Sequence, residues 1–280
     1  MLNTKPTMLF DQIQDAVEYI RDYTDFIPVA GIIAGTGLSG LSDDLLIACE
    51  IEYKNIPHFA LSTVQGHKSK LVFGYLKGVP VVVMAGRFHY YEGYTMKQVT
   101  FPVYVLKALG INTLIVTNVS GSVNENIEGG DIVIVTDHIN LHAENPLRGE
   151  NDERIGVRFP DMLHTYDKAL VQIAIKTARS ENFTAHTGVY VGLQGPNLET
   201  PAEYKYLHII GGDIVGMSSV PEVIAARHAD LRVCMISIVS NKSYPADIIK
   251  DVTLEEVIAM AQTAGPKIQL IIEKIVSKLS

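Results

Sequence analysis

The 280-residue sequence predicts an α/β fold, a single domain built on a central mixed β-sheet flanked by helices. Three observations predict it. Short, continuous apolar runs rich in β-branched residues recur along the chain, as strands buried on both faces do. Amphipathic patterns with apolar residues three or four apart fall between them. No Pro/Ser linker, low-complexity stretch or internal repeat divides the chain, so residues 1–280 are read as one unit.

Taken in order, Met8, Leu9, Ile13, Val17 and Ile20 space a first helix that ends near Tyr23, and Val29, Ala30, Ile32 and Ile33 form a strand leading to Gly35. Further strands are expected at residues 71–76, 79–84, 113–118, 132–135, 188–193 and 233–239, with Lys77-Gly78 turning the first two of these back as a hairpin. Helices are expected at 166–180, 201–209, 221–228 and 253–279. The last opens Thr253-Leu254-Glu255-Glu256, a capping box in which Thr253 and Glu256 satisfy each other's backbone amides, and Pro266 should kink or break it.

Lys plus Arg number 23 against 31 Asp plus Glu, a net charge of −8, which argues against a nucleic-acid polymer as partner. Any anionic ligand must then be held by a local constellation. The first residues reach Asp11 after only three consecutive apolar residues, without a signal-peptide core, and no apolar stretch is long enough for a membrane span. Cys49 and Cys234 each sit in an apolar run and read as reduced, buried thiols. A cytoplasmic protein is expected.

Most strands end in a polar cluster. Gly35-Thr36-Gly37-Leu38-Ser39-Gly40 matches G-x-G-x-x-G after a strand, the setting of a dinucleotide fingerprint, with Glu50 or Glu52 as its acidic partner. Leu41-Ser42-Asp43-Asp44 starts a helix poorly, so another phosphate cradle or a structural turn stands beside that reading. Gly86-Arg87-Phe88-His89-Tyr90-Tyr91-Glu92-Gly93-Tyr94 follows a strand where open α/β sheets hold ligands, and Arg87 suits an oxyanion; the plainer reading is a solvated loop with Arg87 and Glu92 paired. Alternation puts Arg87, His89 and Tyr91 on one side and Phe88 and Tyr90 on the other. Asn118-Val119-Ser120-Gly121-Ser122 either presents amides to the same anion or is a tight strand exit. Glu199 either accepts hydrogen bonds from a heterocycle or serves the N-terminus of the helix at Pro201. Gly216-Met217-Ser218-Ser219-Val220-Pro221-Glu222 sets hydroxyls before a helix, and Ser240-Asn241-Lys242 follows the last strand. His138 and His142, with Asp137 and Glu144, have a metal-like spacing but fall in an expected loop, and no serine sits in G-x-S-x-G.

In order along the chain, Gly35-Thr36-Gly37-Leu38, Gly66-His67, the 86–94 cluster, residues 118–121, Arg158-Phe159-Pro160, Gly195-Pro196-Asn197-Leu198-Glu199-Thr200, Val215-Gly216-Met217-Ser218 with Val220-Pro221-Glu222, and Asn241-Lys242 resemble the trimeric class of purine nucleoside phosphorylases. The likeness runs from about Val29 to the last helix, and the 88–94 and 217–222 elements are its most specific parts. It implies phosphorolysis of 6-oxopurine (deoxy)ribonucleosides such as inosine and guanosine, giving the free base and (deoxy)ribose 1-phosphate in purine salvage. Inorganic phosphate is then a co-substrate, and no cofactor, metal or covalent intermediate is needed. The resemblance assigns phosphate to Thr36, His67, Arg87, His89, Ser218 and the Val119 amide. It assigns the purine to Val119, Ser120, Gly121, Leu198, Glu199 and Asn241, with Glu199 accepting from N1–H and Asn241 donating to N7. It assigns the sugar to Tyr91, Met217, Leu254 and Phe159, the last reaching a neighbouring subunit of a cyclic homotrimer. It implies that Asn241, Glu199 and His89 carry the catalysis, with His89 and Glu92 linked beside Arg87.

The chain departs from the family pattern at four places: Thr36 for a serine, Val119-Ser120 for two alanines, Leu198 for a phenylalanine that stacks on the purine, and Leu254 for a histidine that binds the 5′-hydroxyl. Leu254 motivates a second reading, a 5′-methylthioadenosine-type phosphorylase, which Asn241 opposes because those enzymes carry aspartate there. A NAD-dependent oxidoreductase resting on the 35–40 glycines and a purine-binding protein without turnover are the alternatives from other classes.

Overall fold

Why the apolar runs are continuous is plain from their partners: among the described residues nine strands join in a mixed sheet whose inner members are covered on both faces. The computed structural model describes residues 8–61 and 68–279. The strands are β1 (Ala30–Ile33), β2 (Leu46–Glu52), β3 (Lys70–Leu76), β4 (Val79–Ala85), β5 (Thr113–Ser122), β6 (Ile132–Asn140), β7 (Ala185–Gly192), β8 (Ile214–Gly216) and β9 (Arg232–Lys242). The helices are α1 (Leu9–Tyr23), α2 (Met96–Ala108), α3 (Lys168–Ser180), α4 (Pro201–Ile209), α5 (Val220–His228) and α6 (Leu254–Val276).

The strand order is β2-β3-β4-β1-β5-β8-β7-β6-β9, and β9 also pairs with β5. That extra pairing closes β5, β8, β7, β6 and β9 into a ring, while β2, β3, β4 and β1 run out from it as an open wing. Strands β4, β1, β5 and β9 are parallel along one line of neighbours, so their carboxyl ends emerge on the same side. Strand β8 runs antiparallel to β5, and this brings the chain after Gly216 back over the middle of β5. Helices α1, α2 and α5 pack in one group, and α3 packs with α6.

Several expected boundaries move. Strand β5 continues through Ser122, β6 through Asn140 and β9 through Lys242, so 118–122, His138 and Ser240-Asn241-Lys242 lie in strands rather than in loops. Polar residues can continue these strands because the ladder partners persist beyond the apolar run. Strand β2 and helix α2 escape the periodicity argument for opposite reasons. The first is an exposed edge, and the second is buried on nearly every face and so has no amphipathic period. Cys49, on that edge, is half-exposed, whereas Cys234 in β9 is buried as expected. Pro266 lies inside α6 without breaking it, and the helix starts with the expected Thr253–Glu256 capping box.

The dinucleotide reading of the 35–40 glycines fails on topology. Glu50 and Glu52 belong to β2, which pairs antiparallel with β3 at the far edge rather than parallel beside β1. Only a short 3-10 turn, Ser39–Ser42, follows the glycines. The glycines serve close approach instead. A Cβ on Gly35 would meet the Thr117 carbonyl oxygen at 2.7 Å, and one on Gly37 would meet Cβ of Ala261 in α6 at 2.6 Å, at a φ of +75°.

Candidate active site

Where the parallel strands end, beneath the N-terminus of α6, lies a cavity of about 400 Å³. Thr36 reaches it from the end of β1; Arg87, His89 and Tyr91 reach it after β4; Val119, Ser120 and Gly121 from β5; Met217 and Ser218 after β8; Asn241 from β9; Leu198 and Glu199 before α4; and Leu254 from α6. Every phosphate, purine and sugar residue expected from the sequence is therefore in one cavity, with two exceptions. His67 lies outside the described residues. Phe159 points away: it is 86% exposed, with the Arg158 guanidinium 5.6 Å from its ring, beside a separate hollow that it shares with His138 and Asn145.

One end of the cavity is built around a buried cation. Arg87 is 2% exposed, and its Nε pairs with Glu222 at 3.0 Å, so the plainer expectation of an Arg87–Glu92 pair is not what forms. Its Nη1 donates to the Thr117 carbonyl at 2.9 Å and to the Ser218 and Ser219 hydroxyls at 3.2 Å each. A buried guanidinium held at a fixed angle by a carboxylate and a carbonyl is a cation that can face an anion without reorganising. Ser219 takes a φ of +68° at the start of α5, and Asn118 Nδ2 donates to its hydroxyl at 2.9 Å. The strain is located where a hydroxyl must face the arginine.

His89 is held separately. Its backbone N–H and its Nδ1 both meet Glu92 Oε1 at 2.9 Å, and its ring stacks on Tyr91 with centroids 4.7 Å apart. With the carboxylate as acceptor, Nδ1 carries the hydrogen. The alternation read from the sequence survives although β4 ends at Ala85. Arg87, His89 and Tyr91 line the cavity, while Phe88 packs edge-on against Tyr53 and Tyr94. Burial pushes the Tyr91 phenol up to about 12, so it is a hydroxyl donor at neutral pH.

The other end presents amide and hydroxyl groups beside the Glu199 carboxylate. A bulge sets it up: β9 carries one extra residue, Ser240, between the pairs Ser120–Val239 and Gly121–Asn241. The Ser240 hydroxyl donates to Asn241 Oδ1 at 2.6 Å, and Asn241 Nδ2 donates to Ser243 at 2.8 Å. Glu199 does not serve the helix that follows it. Thr200 caps α4, and Glu203 closes that capping box. Glu199 is left facing the cavity, where burial raises its carboxyl above the usual range against the opposing pull of Tyr204. Val252, Leu254 and Val257 give the wall below α6 an apolar surface.

Sequence reasoning left out Tyr204, Glu222 and Ser243 as contributors. Glu222 was visible only as part of a motif, and neither Tyr204 nor Ser243 stands in a pattern that would separate it from an ordinary helix or strand-end residue.

A model of the phosphorylase superfamily matches residues 30–277. Purine nucleoside phosphorylase 1 of Geobacillus stearothermophilus is 51% identical over 82% of this chain and 84% of its own length. The purine nucleoside phosphorylase of Mus musculus is 48% identical over 83% of this chain and 82% of its own. Among solved structures, isoform 2 of the Schistosoma mansoni purine nucleoside phosphorylase, in complex with cytosine and ribose-1-phosphate, superposes with a TM-score of 0.92 at 36% identity over 99% of both chains. The S. mansoni enzyme in complex with adenosine gives 0.91 at 40% identity, covering 96% of this chain and 98% of that one. A schistosoma purine nucleoside phosphorylase in complex with hypoxanthine gives 0.91 at 39% identity, covering 96% of this chain and 98% of that one.

Proposed function

The chain belongs to the phosphorylase superfamily as a purine nucleoside phosphorylase, a pentosyltransferase, and from that membership we propose that it acts on 6-oxopurine nucleosides, inosine and guanosine. The observation that carries the proposal is Glu199. It is a carboxylate freed from helix capping and turned into the cavity, an acceptor that suits the N1–H of a 6-oxopurine and meets no such hydrogen on a 6-aminopurine. Hypoxanthine, the base that inosine would release, is the ligand named for one schistosoma structure, beside adenosine in another.

Phosphate lies against Arg87, His89, Ser218, Thr36 and the Val119 amide in this reading, with His67 completing the set. A phosphate oxygen forms a bond to the anomeric carbon as the bond from that carbon to the purine N9 breaks. The electron pair goes to the base, and Asn241 at N7 meets the growing charge while the sugar passes through an oxocarbenium-like state. Tyr91 and Met217 hold the sugar. Inorganic phosphate is the second substrate, and the residues lining the cavity require no metal or other cofactor for this step.

The enzyme acts as a homotrimer in which Phe159 completes a neighbour's sugar pocket; its exposure, away from its own cavity, supports this. We place it in the cytoplasm. The two cysteines are free, and no helix among the described residues is long and apolar enough to cross a membrane.

The wall of Val252, Leu254 and Val257 favours one second reading, turnover of nucleosides with an apolar 5′ substituent such as 5′-methylthioadenosine. Release of base from inosine, guanosine, adenosine and 5′-methylthioadenosine, each with and without phosphate, separates the two. Phosphate-dependent cleavage of inosine and guanosine is expected. Preferential turnover of the methylthio compound would move the assignment to the second reading, and no phosphate-dependent cleavage of any would overturn both. Asn241→Ala should lower kcat by roughly a hundredfold or more, the usual cost of one such donor.

A further inference from the structure

A line of buried side chains runs along the cavity wall from Ser120 to Arg87. The Ser120 and Ser237 hydroxyls meet at 2.7 Å, Ser237 donates to Asn118 Oδ1 at 2.6 Å, and Asn118 Nδ2 donates to the Ser219 hydroxyl at 2.9 Å. The Ser219 and Ser218 hydroxyls are 3.3 Å apart, and Arg87 Nη1 donates to both. Ser120, Ser237, Asn118 and Ser219 are all buried, and Ser218 lines the cavity. A hydroxyl has one hydrogen to give and two lone pairs to accept with. Ser219 accepts from Arg87 and from Asn118, so its own hydrogen goes to Ser218. Ser218 then accepts from Ser219 and from Arg87, and its hydrogen is left to donate into the cavity. At the other end Ser237 gives its hydrogen to Asn118, so Ser120 is the donor between those two serines; the Ile238 carbonyl, the other acceptor beside Ser237, stands at 3.5 Å. Ser219 holds its place against local preference. It is the N-cap of α5 at a φ of +68°, yet its hydroxyl makes no capping bond and turns to Asn118 and Arg87 instead.

We propose that Ser237 and Asn118 are positioning residues for phosphate: by holding the Asn118 amide with Nδ2 toward Ser219, they make the Ser218 hydroxyl a donor to the anion. The inference rests on the reading that phosphate lies against Ser218 and deepens it, naming two residues that act on phosphate through that hydroxyl. Turned the other way, the amide would present Oδ1 to Ser219 and take its hydrogen. Ser218 would then give its own hydrogen to Ser219 and meet the phosphate with a lone pair, which an anion repels. The Ser237 hydroxyl opposes that turn, because its donation keeps Oδ1 on its own side. Ser237 is not among the residues that line the cavity, so its effect on phosphate must pass along this line.

The test is the KM for phosphate, at saturating inosine, in the parent, Ser218→Ala, Ser237→Ala and the double variant, alongside the KM for inosine. Ser218→Ala should raise the phosphate KM about tenfold or more, the usual scale for one hydrogen bond to a charged group lost. Ser237→Ala should raise it about tenfold while moving the inosine KM much less. The double variant should be no worse than Ser218→Ala alone, since both changes act through one hydroxyl. If Ser237→Ala fails to fold, Asn118→Ala in the same cycle reads the next link, because a direct effect on the ligand would multiply with Ser218→Ala and an effect through Ser218 would not. A phosphate KM that holds in Ser237→Ala, one that rises no more than the inosine KM, or effects that multiply in the double variant would overturn the proposal. A phosphate KM unchanged in Ser218→Ala would instead overturn the placement of phosphate beneath it, and a parent without phosphate-dependent cleavage would overturn the phosphorylase reading itself.

Discussion

Glu199 precedes a helix whose cap is made by its neighbours, Thr200 and Glu203, so its carboxyl is left to face the cavity. Burial raises its pKa above the ordinary 4.5, because the charged form loses water that the pocket does not fully replace. The sign of the functional consequence follows from the form that works. Accepting from N1–H needs the ionised carboxylate, which is lost as pH falls through the raised pKa. The acid limb of the kcat/KM profile for inosine should therefore sit above the range of an exposed glutamate, and Glu199→Gln should abolish that limb along with most of the activity. A pH–rate series on both proteins checks this; a limb at the ordinary carboxylate position would show that Glu199 is ionised throughout and does not govern the profile.

At the scale of elements, the end of the cavity proposed to hold phosphate depends on where α5 begins. The helix places Glu222 in its first turn against Arg87 and puts the strained Ser219 at its N-cap, so one short segment orients both the cation and the hydroxyls around it. Breaking such a pair leaves a buried guanidinium without its carboxylate, a loss on the order of 3–5 kcal/mol. Glu222→Ala should therefore lower stability in denaturant unfolding by about that much and raise the KM for phosphate well above the effect on the nucleoside KM. Equal changes in the two KM values would mean that Glu222 supports the fold without positioning Arg87. At the end proposed to hold the base, the corresponding device is the bulge in β9, where Ser240 turns Asn241 to face Gly121 across the ladder.

For the whole molecule, the ring formed by β5, β8, β7, β6 and β9 gathers the strand ends that the open wing alone would leave spread along an edge. Among the described residues, the assigned side chain that lies outside the cavity is Phe159, 86% exposed. Phe159→Ala should leave thermal stability of the folded chain almost unchanged, since little of the ring is buried within it, yet raise the nucleoside KM about tenfold if a second copy uses it. Sedimentation of the parent should show a trimer; a monomer with unaltered KM in the variant would remove Phe159 from the sugar site.

Much of this was legible locally. Continuous β-branched runs marked the buried strands, Thr253 and Glu256 announced the start of α6, and glycine-flanked clusters such as 86–94 and 216–222 marked where strands deliver polar groups. Those features depend on residues a few positions apart, where periodicity and capping chemistry act. Other features depended on partners far along the chain. The exposed strand β2 lacked a buried face and α2 lacked an exposed one, so neither had the contrast from which a period is read. Arg87 meets Ser218 across 131 residues of chain, and its carboxylate is Glu222 rather than the nearby Glu92. Whether Glu199 served the helix was settled by Thr200 and Glu203 closing the cap between themselves. The sequence by itself determined which residue types stand at each strand end and hence the chemistry available. Only the tertiary structure decided which of them share a cavity and which partner fixes each, because strand pairing and ring closure are set by packing over the whole chain and not by any local pattern.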